Sequence, residues 1–166
     1  MNNKGFTLFE LVITIILIGI IGVLSSLFLY NGIKGFMTSK LATEGALTGQ
    51  ITVDRIALEL RSINKIDSYD TTGGNLVMDY HSDSLPGARK LKYDSANQQI
   101  SIGVDGREYL LLDHVPTFNL NIAASNLDNV SEAKEEVAGF DLSFTIEDIG
   151  RAFATRIYPR TLLTEP

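Results

Sequence analysis

Residues Met1–Leu24 read MNNKGFTLFELVITIILIGIIGVL, and the fold of the whole chain turns on how they are taken. The apolar run continues to Tyr30, and from Phe6 to Tyr30 the only charged residue is Glu10. About 20 apolar helical residues cross a bilayer, and Phe6–Tyr30 as a helix would rise about 37 Å. A carboxylate at the centre of such a span costs about 2.5–3.5 kcal/mol, and less near its end. Glu10 therefore needs a reason. A secretory signal places its small-residue cleavage site after the apolar run, but here the run closes in Ser25–Gly32, SSLFLYNG, a poor match. A plain signal anchor explains the length, but neither Glu10 nor the Lys4-Gly5-Phe6-Thr7-Leu8 that precedes it.

Outward from that segment, charge returns every few residues, so the pattern is anchor first and soluble domain second. The 166 residues suffice for one domain of ordinary size plus an extension. Lys4 and Glu10 cancel, so the formal net charge of −6 belongs to the region after Tyr30. Such a balance argues against nucleic acid as a partner, because phosphate contacts need clustered positive charge. Arg89, Lys90 and Lys92 lie close together and read as a solvated strand or turn. There is no cysteine, which excludes disulfides and thiolate metal sites and is compatible with either redox compartment. Lys4 and the amino terminus put positive charge on the short side of the span, so the short side stays cytoplasmic.

From Asn31 the chain turns amphipathic. Ile33, Met37, Leu41, Leu47 and Ile51, then Val53, Ile56, Leu60 and Ile63, recur at helical spacing. Gly32, Gly35, Gly45 and Gly49 weaken that helix and make bends plausible. Glu59 stands four residues after Arg55, in position for an ion pair. The helix is expected to run to about Ile66 and to offer one face to a head, with Ile56, Leu60 and Ile63 in the core.

After Ile66 the pattern becomes that of strands. Asp67–Asn75 reads as loop and turn, and Leu76–Tyr80 as a short strand. Arg89–Tyr93 and Gln99–Val104 flank a hairpin turn at Asp94-Ser95-Ala96-Asn97. Asp105-Gly106 leads into Glu108–Leu112, and Phe118–Ala123 follows Pro116. Residues 125–138 are polar and acidic and read as loop. Phe140–Ile146 and Ala152–Tyr158 alternate apolar and polar residues around Asp148-Ile149-Gly150. A long helix packed on an antiparallel sheet is an α+β architecture.

The residues do not assemble a catalytic or cofactor site. His81 and His114 are the two histidines, in strand-like contexts without metal-ligand spacing, and read as surface or edge positions. No nucleophile elbow, P-loop or dinucleotide fingerprint is present. Asp67, Asp70 and Thr72, or Asp94 and Asn97, are oxygen-rich turns, but neither matches an EF-hand, and turn aspartates need no metal. Asn129-Val130-Ser131 is a glycosylation sequon by pattern alone. The expectation is no enzyme, no metal and no cofactor.

Lys4–Leu11, KGFTLFEL, resembles the processing site of type IV prepilins and pseudopilins, the class III signal. In that family a short basic leader ends in glycine, prepilin peptidase cuts after it on the cytoplasmic side, and the new N-terminal residue is N-methylated. Carried over, Gly5 ends the leader, Phe6 becomes the mature N-terminus, and Glu10 is the assembly glutamate that meets the amine of an adjacent subunit. Gly19 falls on a common family glycine. The resemblance implies a leader at 1–5, a transmembrane and assembly helix at 6–30, an amphipathic helix at 31–66 and a pilin-like β-rich head at 67–166. It implies other pilin or pseudopilin subunits, prepilin peptidase with its N-methyltransferase activity, and an inner-membrane assembly platform as partners. The localisation implied is the bacterial inner membrane, single-pass, with an extracytoplasmic head, and then a pilus or pseudopilus. Where many major pilins kink the helix with proline this chain has Leu27, which leans towards a minor subunit. DRIALELRSI, LLLDHVPTFNL and IYPRTL are also loosely similar to minor pilins and J-type minor pseudopilins of type II secretion. The alternative is a membrane-anchored pilin-like binding module for adhesion or DNA uptake.

Overall fold

The structure, a computed structural model, describes residues 7–125, 136–161 and 163. One helix, α1 (Leu8–Arg61), is followed by strands β1 (Ile63–Asp70), β2 (Leu76–Ser82), β3 (Arg89–Asp94), β4 (Gln99–Val104), β5 (Arg107–Leu112), β6 (Thr117–Ser125), β7 (Glu136–Ile146) and β8 (Arg151–Ile157). All pairings are antiparallel, in a five-stranded sheet β1-β2-β3-β4-β5 and a three-stranded sheet β6-β7-β8. The fold is α+β, a long N-terminal apolar helix followed by an antiparallel β head. By its contacts the chain divides into one unit up to Leu41 and another from Ala42.

In the first unit α1 buries nothing. Its large apolar side chains are exposed throughout, from 41 % at Ile13 to 85 % at Phe28. In the second unit the same helix is amphipathic, with Gly49, Thr52, Ile56, Glu59 and Leu60 on its buried face, at the 3–4 residue spacing that keeps one stripe inward. Ile56, Leu60 and Ile63 are fully buried, together with Met78, Tyr80, Leu91 and Ile100 of the larger sheet and Phe140 of the smaller one.

The helix ends five residues before the expected Ile66. The Ser62 amide and hydroxyl both donate to the Glu59 carbonyl, at 3.1 and 2.8 Å, and close the last turn. Ile63 and Ile66 then belong to β1, within the segment expected to be helix and loop. Their spacing of three mimics a helix. In β1 it arises because the register with β2 shifts between Ile63 and Lys65 and again between Ile66 and Ser68. Such a bulge brings two residues an odd number apart onto one face. The remaining strands fall near their expected places, with β7 starting at Glu136 inside the segment expected to be loop. The sequon at Asn129 lies outside the described residues.

Two helix glycines turn out to be packing devices. A Cβ on Gly45 would lie 2.7 Å from Ile149 Cγ2, and one on Gly49 would lie 2.2 Å from Phe153 Cζ. They let the β7–β8 turn and β8 sit directly against the helix backbone. From that contact an aromatic stack crosses the head. Phe153 and Phe144 have ring centroids 5.2 Å apart, Phe144 and Phe118 6.5 Å, and Phe118 and Tyr93 5.2 Å.

Candidate functional site

Glu10 lies in the first turn of α1, exposed. Thr7 precedes the helix and caps it, its hydroxyl accepting from the Glu10 amide at 3.3 Å and donating to Glu10 Oε2 at 3.4 Å. The Thr7 carbonyl takes the Leu11 amide at 3.2 Å. Thr7-Leu8-Phe9-Glu10 therefore has the T-x-x-E spacing of a capping box, and a carboxylate there is also favoured by the helix dipole. Both signals were present in the sequence, hidden behind the question of the membrane. Gly5 and Phe6 lie outside the described residues. Past Glu10 the helix carries no acidic or basic residue until Lys34, and it is the one described helix long and apolar enough to cross a membrane.

A second polar cluster lies inside the head, and only its Arg55–Glu59 pair was anticipated. The Glu59 side chain is fully buried. Its Oε1 accepts from Arg55 Nη2 at 2.7 Å and Arg89 Nη2 at 2.7 Å, and its Oε2 from Arg89 Nε at 2.6 Å and the Tyr80 hydroxyl at 2.8 Å. Arg89 also donates to the Pro86 carbonyl at 3.1 Å. Burial, then the Glu59 charge, raises the Tyr80 phenol, while the Glu59 hydrogen bonds raise the Arg89 guanidinium. With its acceptors satisfied by charge-assisted bonds, this carboxylate joins α1 to β2 and β3.

The oxygen-rich turns are spoken for locally. Asp94 Oδ1 accepts from the amides of Ala96 and Asn97 at 3.0 and 3.1 Å, and its Oδ2 from Asn97 Nδ2 at 2.8 Å. Asp70 accepts from the Thr72 amide at 2.9 Å and from the Thr72 hydroxyl. Asp67 pairs with Lys65 at 2.8 Å and with His81 at 2.5 Å. His81 and Asp113-paired His114 are both exposed. Of the basic trio, Lys90 faces Asp79 at 3.4 Å, Lys92 faces Glu108 at 3.2 Å, and Arg89 is buried on Glu59.

Residues 1–26 match the family described as the prokaryotic N-terminal methylation motif. The match covers Gly5, Phe6, Glu10 and most of the apolar run, the residues that carry a class III signal. The first 26 residues thus carry the N-terminal methylation motif of type IV pilin-like proteins. No curated protein and no solved structure matches the chain significantly. The motif implies processing by prepilin peptidase, and with the one long apolar helix among the described residues it fits a single-pass inner-membrane anchor.

Proposed function

We propose that this pilin-like protein is a minor structural subunit of a type IV pilus or a type II secretion pseudopilus, with no enzymatic activity of its own. The observation that carries the proposal is the run of exposed apolar side chains on α1 from Leu8 to Leu41, interrupted near its start by Glu10 alone among acidic residues. So much apolar surface is unstable in water. It suits lipid before assembly and a bundle of neighbouring helices afterwards, since both surround it with apolar groups. Inside such a bundle an unpaired Glu10 carboxylate would cost several kcal/mol, and the freed amine of an adjacent subunit's Phe6 would offset it. The missing helix-kinking proline and the absence of cysteine support a minor subunit.

The test is quantitative mass spectrometry of sheared surface fibres, or of affinity-purified pseudopilus, from the native host. The expected result is this chain present at a small fraction of the main subunit. Its absence from assembled material, with normal levels in the membrane, would overturn the proposal.

A further inference from the structure

β5 is an outermost strand of the larger sheet, and the residues on both sides of it in the chain are described. An open strand edge is a template for pairing, and proteins guard it with charges, prolines or bulges. β5 has Arg107 and Glu108 at its start and a register shift towards its end, opposite Ile100 and Ser101. Between them stand Tyr109 and Leu110, 55 % and 58 % exposed. No other large apolar side chain in the described strands is as exposed. The two point to opposite faces of the sheet. Tyr109 continues the row of buried Leu91 and Ile102, whereas Leu110 continues the polar row of Lys92 and Ser101. Beside them is a groove of about 350 Å3, lined by Arg55 of α1 and by Ile102, Val104, Tyr109, Leu110 and Leu111.

The main chain of β5 fixes which of its groups face outward. Asp105 and Gly106, both at positive φ, make a two-residue turn that pairs Val104 with Arg107. Such a turn directs the Arg107 amide to the Val104 carbonyl. By the alternation of an antiparallel ladder, the amides and carbonyls of Glu108 and Leu110 then point away from β4. Among the described residues no hydrogen bond outside the ladder reaches either main chain.

We propose that β5 pairs antiparallel with β5 of a second copy of this chain, with Leu110 opposite Leu110. Only residues with outward amides can exchange hydrogen bonds, so a two-fold pair centres on Glu108, Tyr109 or Leu110. The first sets two glutamates directly opposite each other, which destabilises a pair. The second sets Arg107 against the apolar Leu111. The third brings Arg107 opposite Asp113 at both ends of the contact. Arg107 is exposed and has no ion pair among the described residues, and Asp113 is an exposed carboxylate with His114 beside it. In this register Leu110 covers Leu110, and Tyr109 covers Leu111 on the groove side. A two-fold contact closes on itself, so it pairs subunits and does not lengthen a fibre. The inference does not depend on which fibre the protein enters.

Edge pairing buries little surface, so the pair exchanges readily and is best read by covalent trapping. The chain has no cysteine of its own. Full-length protein in detergent micelles carries one introduced cysteine, Leu110→Cys, Glu108→Cys or, on the other sheet, Ala154→Cys, and disulfide formation is timed under mild oxidation. Leu110→Cys should be trapped about tenfold faster than the other two, because only there do the paired Cα atoms lie about 5.5 Å apart, within disulfide reach. In the Leu110→Cys protein, Arg107→Asp should slow trapping about tenfold, and adding Asp113→Arg should restore it. All the substituted positions are exposed, so the melting temperature should hold throughout. Equal rates at the three cysteines, fastest trapping at Glu108→Cys, or a charge exchange that does not restore the rate would each overturn the proposal.

Discussion

Arg89 grips Glu59 through two parallel hydrogen bonds, Nε to Oε2 at 2.6 Å and Nη2 to Oε1 at 2.7 Å, with both side chains buried. Thirty residues apart in the chain, they fasten α1 to β3. Removing Arg89 strips the buried carboxylate of two of its four donors and leaves it to Arg55 and the Tyr80 hydroxyl alone. Arg89→Ala should therefore cost about 3–5 kcal/mol of unfolding free energy, read by urea titration in detergent. Arg55→Ala, on the exposed side of the same carboxylate, should cost about 1 kcal/mol or less.

Gly49 and Phe153 make a second test. Gly49→Ala places a methyl where Phe153 sits, so it should destabilise by about 1–3 kcal/mol despite alanine's better helix propensity. In combination with Phe153→Leu the penalty should shrink, and a double-mutant cycle would show the coupling. Additive effects would mean that the ring and the glycine do not meet.

Leu60 is fully buried on the helix face that meets the sheets. Leu60→Ala should cost about 2–5 kcal/mol. A loss under half a kcal/mol would place the apolar face wrongly.

Stability should also fall at acid pH, for a definite reason. The Arg156 hydrogen bond holds the Asp141 carboxyl below its usual value, the Lys65 hydrogen bond does so for Asp67, and that of Asn97 for Asp94. The folded protein therefore binds fewer protons than the unfolded chain. Their stabilisation is complete above the ordinary aspartate value near 3.8 and is lost as pH falls through the depressed folded values. Asp141→Asn should flatten the melting-temperature profile below about pH 4 and leave its slope at neutral pH unchanged.

At the membrane end, mature protein from the native host should begin at methylated Phe6, as intact mass would show. Glu10→Gln keeps the residue's size and much of its helix compatibility while removing its charge, and should be processed yet enter fibres poorly. Thr7→Ala removes the cap, worth about 1 kcal/mol, and should assemble nearly normally. Equal assembly defects in the two variants would assign Glu10 to local helix capping alone.

The anchor, the hairpin turns and most strands were legible because each rests on local pattern: an apolar run, an Asp-Gly pair, a two-residue alternation. β1 was not, because its bulges gave Ile63 and Ile66 the spacing of a helix. Gly45 and Gly49 read as weak points because the ring and side chain that need their bare backbone come from residues about a hundred positions later. The Glu59–Arg89–Tyr80 cluster was invisible for a similar reason: a lone glutamate four after an arginine looks like a surface pair until the fold brings Arg89 across. On the anchor, the capping role of Glu10 was in plain sight, but the membrane posed the more pressing question.

The stack from Gly49 through Phe153, Phe144 and Phe118 to Tyr93 also bears on how the head carries mechanical load. A tug on the helix reaches β8 at the glycine and passes ring by ring to β3, where Arg89 already ties the same strand back to Glu59. The two routes form a closed loop, from helix through the smaller sheet into the larger and home again. Tension applied along the anchor is thereby shared between sheets that have no strand in common, so neither can peel away alone. The head should yield to force in one step, at a threshold set by both fastenings together.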